Sequence, residues 1–305
     1  MKKKYLITVL GPTAIGKTDL AINLAEHFKT EIVSADSRQF FKEMSIGTAV
    51  PSIEELARVQ HHFIQNRSIF EDYNVGTFER DALALLEEKF KTFDVFIMVG
   101  GSGLYLNAVL NGLDEFPEVD PDLRQKLLLE LNERGLEYLQ SKLKSMDPEA
   151  FERIDVQNSQ RLIRALEICE GSGQPFSSFW KNNRKSRSFV SLKIGLQADR
   201  RLVYDRINKR VDAMMEQGLL EEARALYQHK ELNALQTVGY KELFAYFDGN
   251  LSLEEAVSEI KKNTRRFAKR QGTWFRKDEE INWFEYDQKR SRIIEFLESR
   301  IKIID

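Results

Sequence analysis

The chain has 305 residues, of which 42% are hydrophobic, and this is enough for one large domain or two modest ones. Its formal net charge at pH 7 is −2, and no apolar run approaches the roughly 20 residues of a membrane-spanning helix, so no such helix is expected. Because Met1-Lys-Lys-Lys leads into a predicted strand and not into a removable signal, we expect a soluble cytoplasmic protein without a membrane partner.

The segment from Ile7 to Phe28 contains the pattern G-x-x-x-x-G-K-[ST]. An apolar run that favours a strand precedes it, and apolar side chains at helical spacing follow it, so the glycines lie on a strand-to-helix turn. Backbone N–H groups, the helix N-terminus and Lys17 can together hold a phosphate, whereas a chance glycine-rich turn would lack this context. The predicted phosphate-binding residues are Gly11, Pro12, Thr13, Ala14, Ile15, Gly16, Lys17 and Thr18, and the Thr18 hydroxyl is also the predicted ligand of Mg²⁺.

Two further apolar runs predict strands beside this turn. The run EIVSADS reaches Asp36, and FDVFIMVGGSG spans Phe93 to Gly103. Uninterrupted apolar strands separated by helices are typical of a buried parallel sheet, so we predict an α/β fold with a phosphate-loop (P-loop) core and a central parallel sheet flanked by helices. Ligands in such sheets bind beyond the carboxyl ends of the strands, where Asp36, Ser102 and the phosphate loop should meet.

From Pro117 the pattern changes to amphipathic helices, and the next predicted strand is Ser191 to Asp199. We therefore predict an α/β core of residues 1–116 and 197–305 that carries an inserted all-helical domain of residues 117–196. After the strand that ends at Asp199, long helices are expected to the end of the chain. The single cysteine, Cys169, lies on an apolar helical stripe, which favours a core position and argues against disulfides or a cysteine metal site.

The stretch from Lys261 to Lys277 carries eight cations and no acidic residue. Phe267, Trp274 and Phe275 are interleaved with the cations, as on a surface that neutralises phosphates and stacks on bases. A solvated helix face is the alternative, although such faces normally mix charges of both signs. The pattern alone leaves both interpretations open.

Only one carboxylate is predicted near the phosphate loop. An ATP hydrolase or a kinase normally has an acidic Mg²⁺ ligand at the end of a second strand. Here the strand from Phe93 to Val99 ends in Gly-Gly-Ser, and Asp36 is the suitably placed acid. An enzyme that releases diphosphate needs little more than a phosphate cradle, Mg²⁺, an arginine and a base.

The sequence resembles the tRNA dimethylallyltransferases, also called isopentenyl-tRNA transferases, of the bacterial type. The resemblance covers nearly the whole chain and rests on GPTAIGKT, VSADSRQFFKEMSIGTAVP, VGGSGLYLNAVLNGL, QNSQRLIRALEI, RINKRVDAM, TVGYKEL and AKRQGTWFRK. It implies transfer of a dimethylallyl group from dimethylallyl diphosphate to N6 of adenosine 37, next to the anticodon of tRNA. The phosphate loop would then hold the discarded diphosphate with Mg²⁺ as cofactor, and a monomer is expected. Some relatives append a zinc finger, which the single cysteine excludes here.

The resemblance also implies three catalytic residues. Asp36 matches the general base that accepts a proton from the adenine amine, although an Asx turn or a helix N-cap would be favoured at this position without the resemblance. Ser102 stands where relatives commonly have threonine and keeps the hydroxyl that would hydrogen bond near the amine and the diphosphate. Arg210 matches an arginine that clamps the diphosphate, whereas an isolated helical arginine is usually solvated.

An adenine inside a stacked loop must flip out to reach such a site, so a basic channel is expected. The inserted domain would grip the anticodon stem-loop, with ordinary charged helix faces as the competing interpretation. His61 and His62 belong to the family pattern, and a structural role is expected for both. The residues that the resemblance assigns to tRNA contact are Asp36, Ser37, Arg38, Gln39, Ser102, Arg124, Gln160, Arg161, Leu162, Ile163, Arg164, Gln236, Thr237, Val238, Gly239, Tyr240, Lys241, Lys269, Arg270, Gln271, Gly272, Thr273, Trp274, Phe275 and Arg276.

Two other classes of protein share parts of this pattern. An ATP-dependent kinase of a small metabolite has the same loop, a following aspartate and a helical lid, but it has no use for a basic aromatic surface. An RNA-binding module could use the loop to sense a nucleotide, and it should then prefer a triphosphate.

Overall fold

The computed structural model describes residues 2–180 and 185–304, with side chains as far as residue 301. The chain forms two compact units, one of Met1–Asn111 with Ser186–Asp305 and the other of Gly112–Lys185. The helical unit therefore ends earlier than the predicted boundary at residue 196, because the strand that follows it belongs to the sheet of the first unit. Within the described ranges, no helix is long and apolar enough to cross a membrane.

One parallel sheet organises the first unit, which confirms the predicted α/β fold. In the described residues its strands follow the order β3-β2-β4-β1-β5-β6, so the phosphate-loop strand β1 lies between β4 and β5. Every pairing is parallel, so the carboxyl ends of the strands share one edge. The strands are β1 (Tyr5–Leu10), β2 (Ile32–Ser34), β3 (His61–His62), β4 (Val95–Val99), β5 (Val190–Gln197) and β6 (Ile281–Glu285).

Helices cover both faces of this sheet. Alternation along β1 sends Ile7 and Val9 into the layer that contains Leu20 of the first helix, whereas Leu6 and Leu10 face the opposite layer. The helices of the first unit are α1 (Lys17–Phe28), α2 (Ile53–Arg58), α3 (Val75–Lys89), α4 (Gly103–Asn111), α8 (Arg200–Glu216), α9 (Leu219–Leu226), α10 (Tyr240–Phe247), α11 (Leu253–Phe275) and α12 (Arg290–Ile304).

The described part of the second unit contains helices and no strand. Its helices are α5 (Pro121–Met146), α6 (Pro148–Arg153) and α7 (Ser159–Ser172), followed by a 3₁₀ turn at Phe176–Phe179. Gly135 interrupts α5 with a positive φ of 80°. Cys169 is buried in the apolar core of this unit with Leu139 and Leu162, as its position on an apolar stripe predicts.

The expectation of helices alone after β5 is wrong. Strand β6 pairs with β5 at the edge of the sheet, and buried Lys193 of β5 forms ion pairs with Asp278 at 2.6 Å and Glu280 at 2.8 Å, just before β6 begins. Only the first residue of β6 is buried. A short edge strand with charged flanks lacks the continuous apolar run that identified the central strands.

Candidate active site

A cleft of about 980 Å³ lies at the carboxyl ends of β1, β2 and β4. The phosphate loop, Asp36 and Ser102 all line it, so the structure brings the predicted residues of the strand edge together. Arg210 of α8 and Arg270 of α11 line the same cleft. A single cavity thus contains a phosphate loop, the acidic residues Asp19, Asp36 and Glu55, and cations from two further helices, so the prediction of only one carboxylate near the loop is wrong.

The backbone conformation of the phosphate loop requires glycine at two positions. Gly11 and Gly16 have φ values of 144° and 107°, which side chains with a Cβ rarely adopt. A Cβ at Gly11 would also lie 2.7 Å from the carbonyl oxygen of Leu196 on β5. Gly16 immediately precedes α1, so the free backbone N–H groups of the first helical turn face the loop.

Three cations converge on this loop. The Lys17 ammonium donates a hydrogen bond to the Pro12 carbonyl at 2.8 Å, and Arg206 Nε donates to the Ala14 carbonyl at 2.7 Å. Arg210 Nη1 lies 3.5 Å from the hydroxyl oxygen of Thr13. Burial lowers the pKa of Lys17 to about 8; nearby Asp36 opposes this shift and Arg210 adds to it. The sequence analysis missed Arg206, although it lies one helical turn before Arg210 and therefore on the same face of α8.

The Asp36 carboxylate is hydrogen bonded through one of its two oxygens. Its Oδ1 accepts the backbone N–H of Arg38 at 3.1 Å, which is an Asx turn. Its Oδ2 has no hydrogen-bond partner in the part of the chain that the structure describes, so one oxygen stays available to a ligand. Ser102 Oγ accepts the backbone N–H of Ser37 and donates to the Ser37 hydroxyl, both at 3.1 Å, and thereby ties the segments after β2 and β4 together.

The exposed side of α11 carries aromatic side chains and includes cations that, unlike the cations at the phosphate loop, have no hydrogen-bond partner among the described residues. Phe267 and Trp274 are 39% and 46% exposed, and Arg270 lies 5.8 Å from the ring centre of Phe267. Lys269 and Arg270 form no ion pair with any described residue. Earlier in the same helix, Lys261 pairs with Asp212 of α8 and Lys262 pairs with Glu259. The predicted basic stretch therefore divides into a paired first part and an unpaired, aromatic second part.

Comparison with known proteins identifies the family of this fold and site. The model of the IPP transferase family matches residues 39–278. The chain belongs to that family. It is 61% identical to a tRNA dimethylallyltransferase from Christiangramia forsetii, over 97% of this chain and 98% of that protein. It is 56% identical to one from Flavobacterium johnsoniae, over 98% of this chain and 99% of the relative.

Solved structures agree with this assignment. The full-length tRNA isopentenylpyrophosphate transferase from Bacillus halodurans is 38% identical, with a TM-score of 0.73 over 99% of this chain and 97% of that one. A eukaryotic dimethylallyltransferase acting on tRNA has a TM-score of 0.79 at 26% identity, over 93% of this chain and 74% of that one. The family resemblance of the sequence motifs is therefore confirmed.

Five of the residues predicted to contact tRNA have buried side chains. These are Leu162, Ile163, Tyr240, Gln271 and Phe275. Amphipathic helices direct one side inward, and each motif range includes residues from that side. Tyr240, for example, donates its hydroxyl to Glu222 at 2.6 Å, and Glu222 also accepts the backbone N–H groups of residues 45–47 along the cleft.

Other motif residues have exposed or partly exposed side chains that already contact backbone. Arg38 donates to the carbonyls of residues 233 and 234 at 2.9 and 3.0 Å. Gln39 donates to the carbonyls of residues 48 and 49 at 3.2 and 2.9 Å. Lining the cleft itself are Asp36, Ser37, Arg38, Gln39, Ser102, Gln236, Thr237, Val238, Gly239, Lys241 and Arg270.

In the helical unit, two predicted arginines bind one buried acid. Glu167 accepts Arg124 at 2.9 Å and Arg164 at 3.4 Å, and Arg124 also donates to Gln160 at 2.6 Å. Arg161 is exposed one residue further along α7 from Gln160. The sequence analysis did not single out Glu167, which orients the two arginines.

His61 and His62 each have a hydrogen-bond partner, and His61 also lines the cleft. The His61 ring donates from Nδ1 to the Val59 carbonyl at 2.8 Å, and burial lowers its pKa. His62 Nε2 lies 2.6 Å from the Glu31 carboxylate, which also binds Lys89 at 2.8 Å. In the described part of the chain, no group of three or more His, Cys, Asp or Glu side chains could hold a metal ion.

Proposed function

We propose that this chain is a tRNA dimethylallyltransferase that moves a dimethylallyl group from dimethylallyl diphosphate to N6 of adenosine 37 and releases diphosphate. The observation that carries this proposal is the single cleft lined by Lys17, Asp36 and Arg270. This one cavity combines a phosphate-binding loop, a carboxylate with one oxygen that is not hydrogen bonded to any described residue, and an arginine of the basic surface that would bind RNA. Relatives named for this activity match over nearly their whole length, which supports the same conclusion.

The phosphate loop and its cations would bind the diphosphate of the donor. The helix N-terminus favours an anion, Lys17 supplies a mobile charge, and Arg210 lies beside the loop at Thr13. Arg206 holds the loop through the Ala14 carbonyl. These groups would stabilise the negative charge that grows on the diphosphate as its bond to the allylic carbon breaks.

Asp36 would serve as the general base. The lone pair of adenine N6 is delocalised into the ring, so the amine is a weak nucleophile. As the new carbon–nitrogen bond forms and the carbon–oxygen bond to diphosphate breaks, Oδ2 of Asp36 would accept the proton that N6 loses. Ser102 would hold the segment that carries Asp36 through its two hydrogen bonds with Ser37.

The residues present fit Mg²⁺ bound together with a diphosphate. Thr18 lies in the first turn of α1, and its hydroxyl has no hydrogen-bond partner in the described part of the chain. Mg²⁺ typically uses one or two protein oxygens and takes its other ligands from substrate phosphates and water, so an extensive acidic cluster is unnecessary. The bound ion would neutralise part of the charge of the leaving diphosphate.

The exposed cations of α11 would bind the RNA backbone while Phe267 and Trp274 offer stacking surfaces. The helical unit would hold the anticodon stem-loop through Arg161 and the arginines around Glu167. The comparisons do not favour the metabolite kinase or the nucleotide-sensing RNA-binding module.

The direct test is incubation of the protein with unmodified tRNA, Mg²⁺ and labelled dimethylallyl diphosphate, followed by nucleoside analysis. We expect label in N6-dimethylallyladenosine from position 37 alone. A tRNA with guanosine at position 37 is the matched negative control. Label at another nucleoside, or no label in tRNA, would contradict the proposal.

A further inference from the structure

Gln271 of α11 uses both ends of its amide group inside the protein. Its Oε1 accepts the backbone N–H of Thr13 in the phosphate loop at 2.9 Å. Its Nε2 donates to the carbonyl of Gly101, after β4, at 2.9 Å. The side chain is 7% exposed, whereas its neighbours Lys269 and Arg270 are exposed. The amide therefore bridges two segments of the cleft and is turned away from the cationic side of the helix.

The Gln271 amide lies close to the backbone of Gly101 and to Lys17. A Cβ at Gly101 would lie 2.4 Å from Gln271 Nε2, so the absence of a side chain at Gly101 lets the amide approach. That same Cβ would lie 3.7 Å from Lys17 Nζ, which places the amide close to the charged group of the phosphate loop. Because Thr13 N–H is already occupied, a bound phosphate would rely on the other N–H groups of the loop.

A continuous set of contacts runs from the loop to the carboxylate. Gln271 joins Thr13 to Gly101, and the next residue, Ser102, holds Ser37 through two hydrogen bonds of 3.1 Å. Ser37 follows Asp36 directly in the chain. The amide of one buried glutamine is thus part of a chain of contacts between the phosphate loop and the segment that carries the carboxylate, beside the backbone hydrogen bonds of the sheet.

We propose that Gln271 is a positioning residue, which fixes the phosphate loop relative to Ser102 and Asp36 and makes no contact with tRNA. This inference rests on the proposed function, because it concerns the alignment of the donor with the base. Reacting groups must be held to within a fraction of an ångström, and misplacement by about 1 Å can cost about 100-fold in rate.

The first test uses Gln271→Met, which keeps the length of the side chain and removes both hydrogen bonds. We expect the single-turnover rate at saturating donor and tRNA to fall by about 10- to 100-fold, with tRNA affinity unchanged. Gln271→Glu keeps the acceptor for Thr13 but places a negative charge beside Lys17. It should therefore weaken pyrophosphate binding more than Gln271→Met does. Gln228→Glu makes the same change at an exposed glutamine outside the cleft and should match the wild type.

The second test is a double-mutant cycle with Gly101→Ala. The added methyl group would displace the Gln271 amide, so this single variant should reproduce the defect of Gln271→Met. If both act through the same contact, the double variant should be no slower than the slower single variant. Additive losses would overturn the proposal. A lower melting temperature with a normal single-turnover rate would also overturn it, as would weaker tRNA binding with a normal rate.

Pyrophosphate binding, measured by calorimetry without RNA, separates this inference from the proposed function. If wild-type protein modified no tRNA, the proposed function would fail. Weaker pyrophosphate binding by Gln271→Met, which adds no charge and removes both hydrogen bonds, would still show that Gln271 positions the loop. Pyrophosphate affinity equal to that of wild type in Gln271→Met would contradict the positioning role.

Discussion

Two groups of cations in the α/β unit differ in what they contact. Lys17 and Arg206 donate hydrogen bonds to carbonyls of the phosphate loop. Lys269 and Arg270 on α11 are exposed and have no ion-pair partner among the described residues. Cations that are held in place before a ligand arrives can stabilise the charge that develops on a small anion during a reaction. Free surface cations instead bind a long polyanion such as RNA, because they displace its counterions. The donor and the RNA should therefore respond to different perturbations.

The largest expected effect follows replacement of Asp36 by Asn, which keeps the shape of the side chain and removes its basicity. We expect the single-turnover rate at saturating substrates to fall by about 10²- to 10⁴-fold, the usual contribution of a general base. Binding of tRNA should change little, because the Asx turn at Arg38 can persist with an amide oxygen.

The matched control for this variant is Asp72→Asn at an exposed aspartate outside the cleft, which should react normally. A near-normal rate for Asp36→Asn would limit Asp36 to its turn, and the base would have to be another group, such as the leaving diphosphate.

Removal of a phosphate-loop cation should have the next largest effect. Lys17→Ala and Arg210→Ala should each reduce donor binding, turnover or both by about 10- to 100-fold, since a hydrogen bond to a charged group contributes roughly 1.5–3 kcal/mol. Affinity for tRNA should be retained. Titration with pyrophosphate measures binding at the donor site, and single-turnover kinetics measure the rate of the reaction. Lys91→Ala removes an exposed cation elsewhere and is the control; equal losses in it would show a general charge effect.

Charge reversal at Lys269 and Arg270 should affect the RNA alone. We expect tRNA affinity to fall by about tenfold, and the slope of log affinity against log salt to flatten by about one for each lost phosphate contact. Pyrophosphate affinity should stay within experimental error of wild type. Filter binding over a salt series measures the slope. An unchanged slope would identify this side of α11 as an ordinary solvated surface.

The smallest effect concerns pH. Because the pKa of Lys17 is lowered to about 8, its ammonium loses its proton as the pH rises through that value, and the cradle loses a positive charge. Pyrophosphate affinity should therefore fall by about fourfold between pH 7 and pH 8.5 through this group alone. Pyrophosphate itself also ionises with pH, and the pH dependence measured with Lys17→Ala gives that contribution so that it can be subtracted. The same pH dependence in both proteins would exclude Lys17 as its source.

Local patterns in the sequence predicted the phosphate loop, its flanking strand and helix, and the position of Asp36 at the strand edge. These features depend on residues that are close together in the chain. The role of Gln271 depends on Thr13, 258 residues away, and that of Arg206 on Ala14, 192 residues away. No local periodicity contains such pairs. For the same reason, the family motifs did not separate their buried residues from their exposed ones.

The most direct test of the account is the stoichiometry of one reaction without ATP. Wild-type protein, tRNA, Mg²⁺ and dimethylallyl diphosphate are combined, and both the released diphosphate and the dimethylallyl group on tRNA are counted. If the phosphate loop holds a leaving group, one diphosphate should appear for each modified adenosine, and pyrophosphate should inhibit in competition with the donor. A product that forms only when ATP is added, with ADP released in proportion, would contradict the account and favour a kinase.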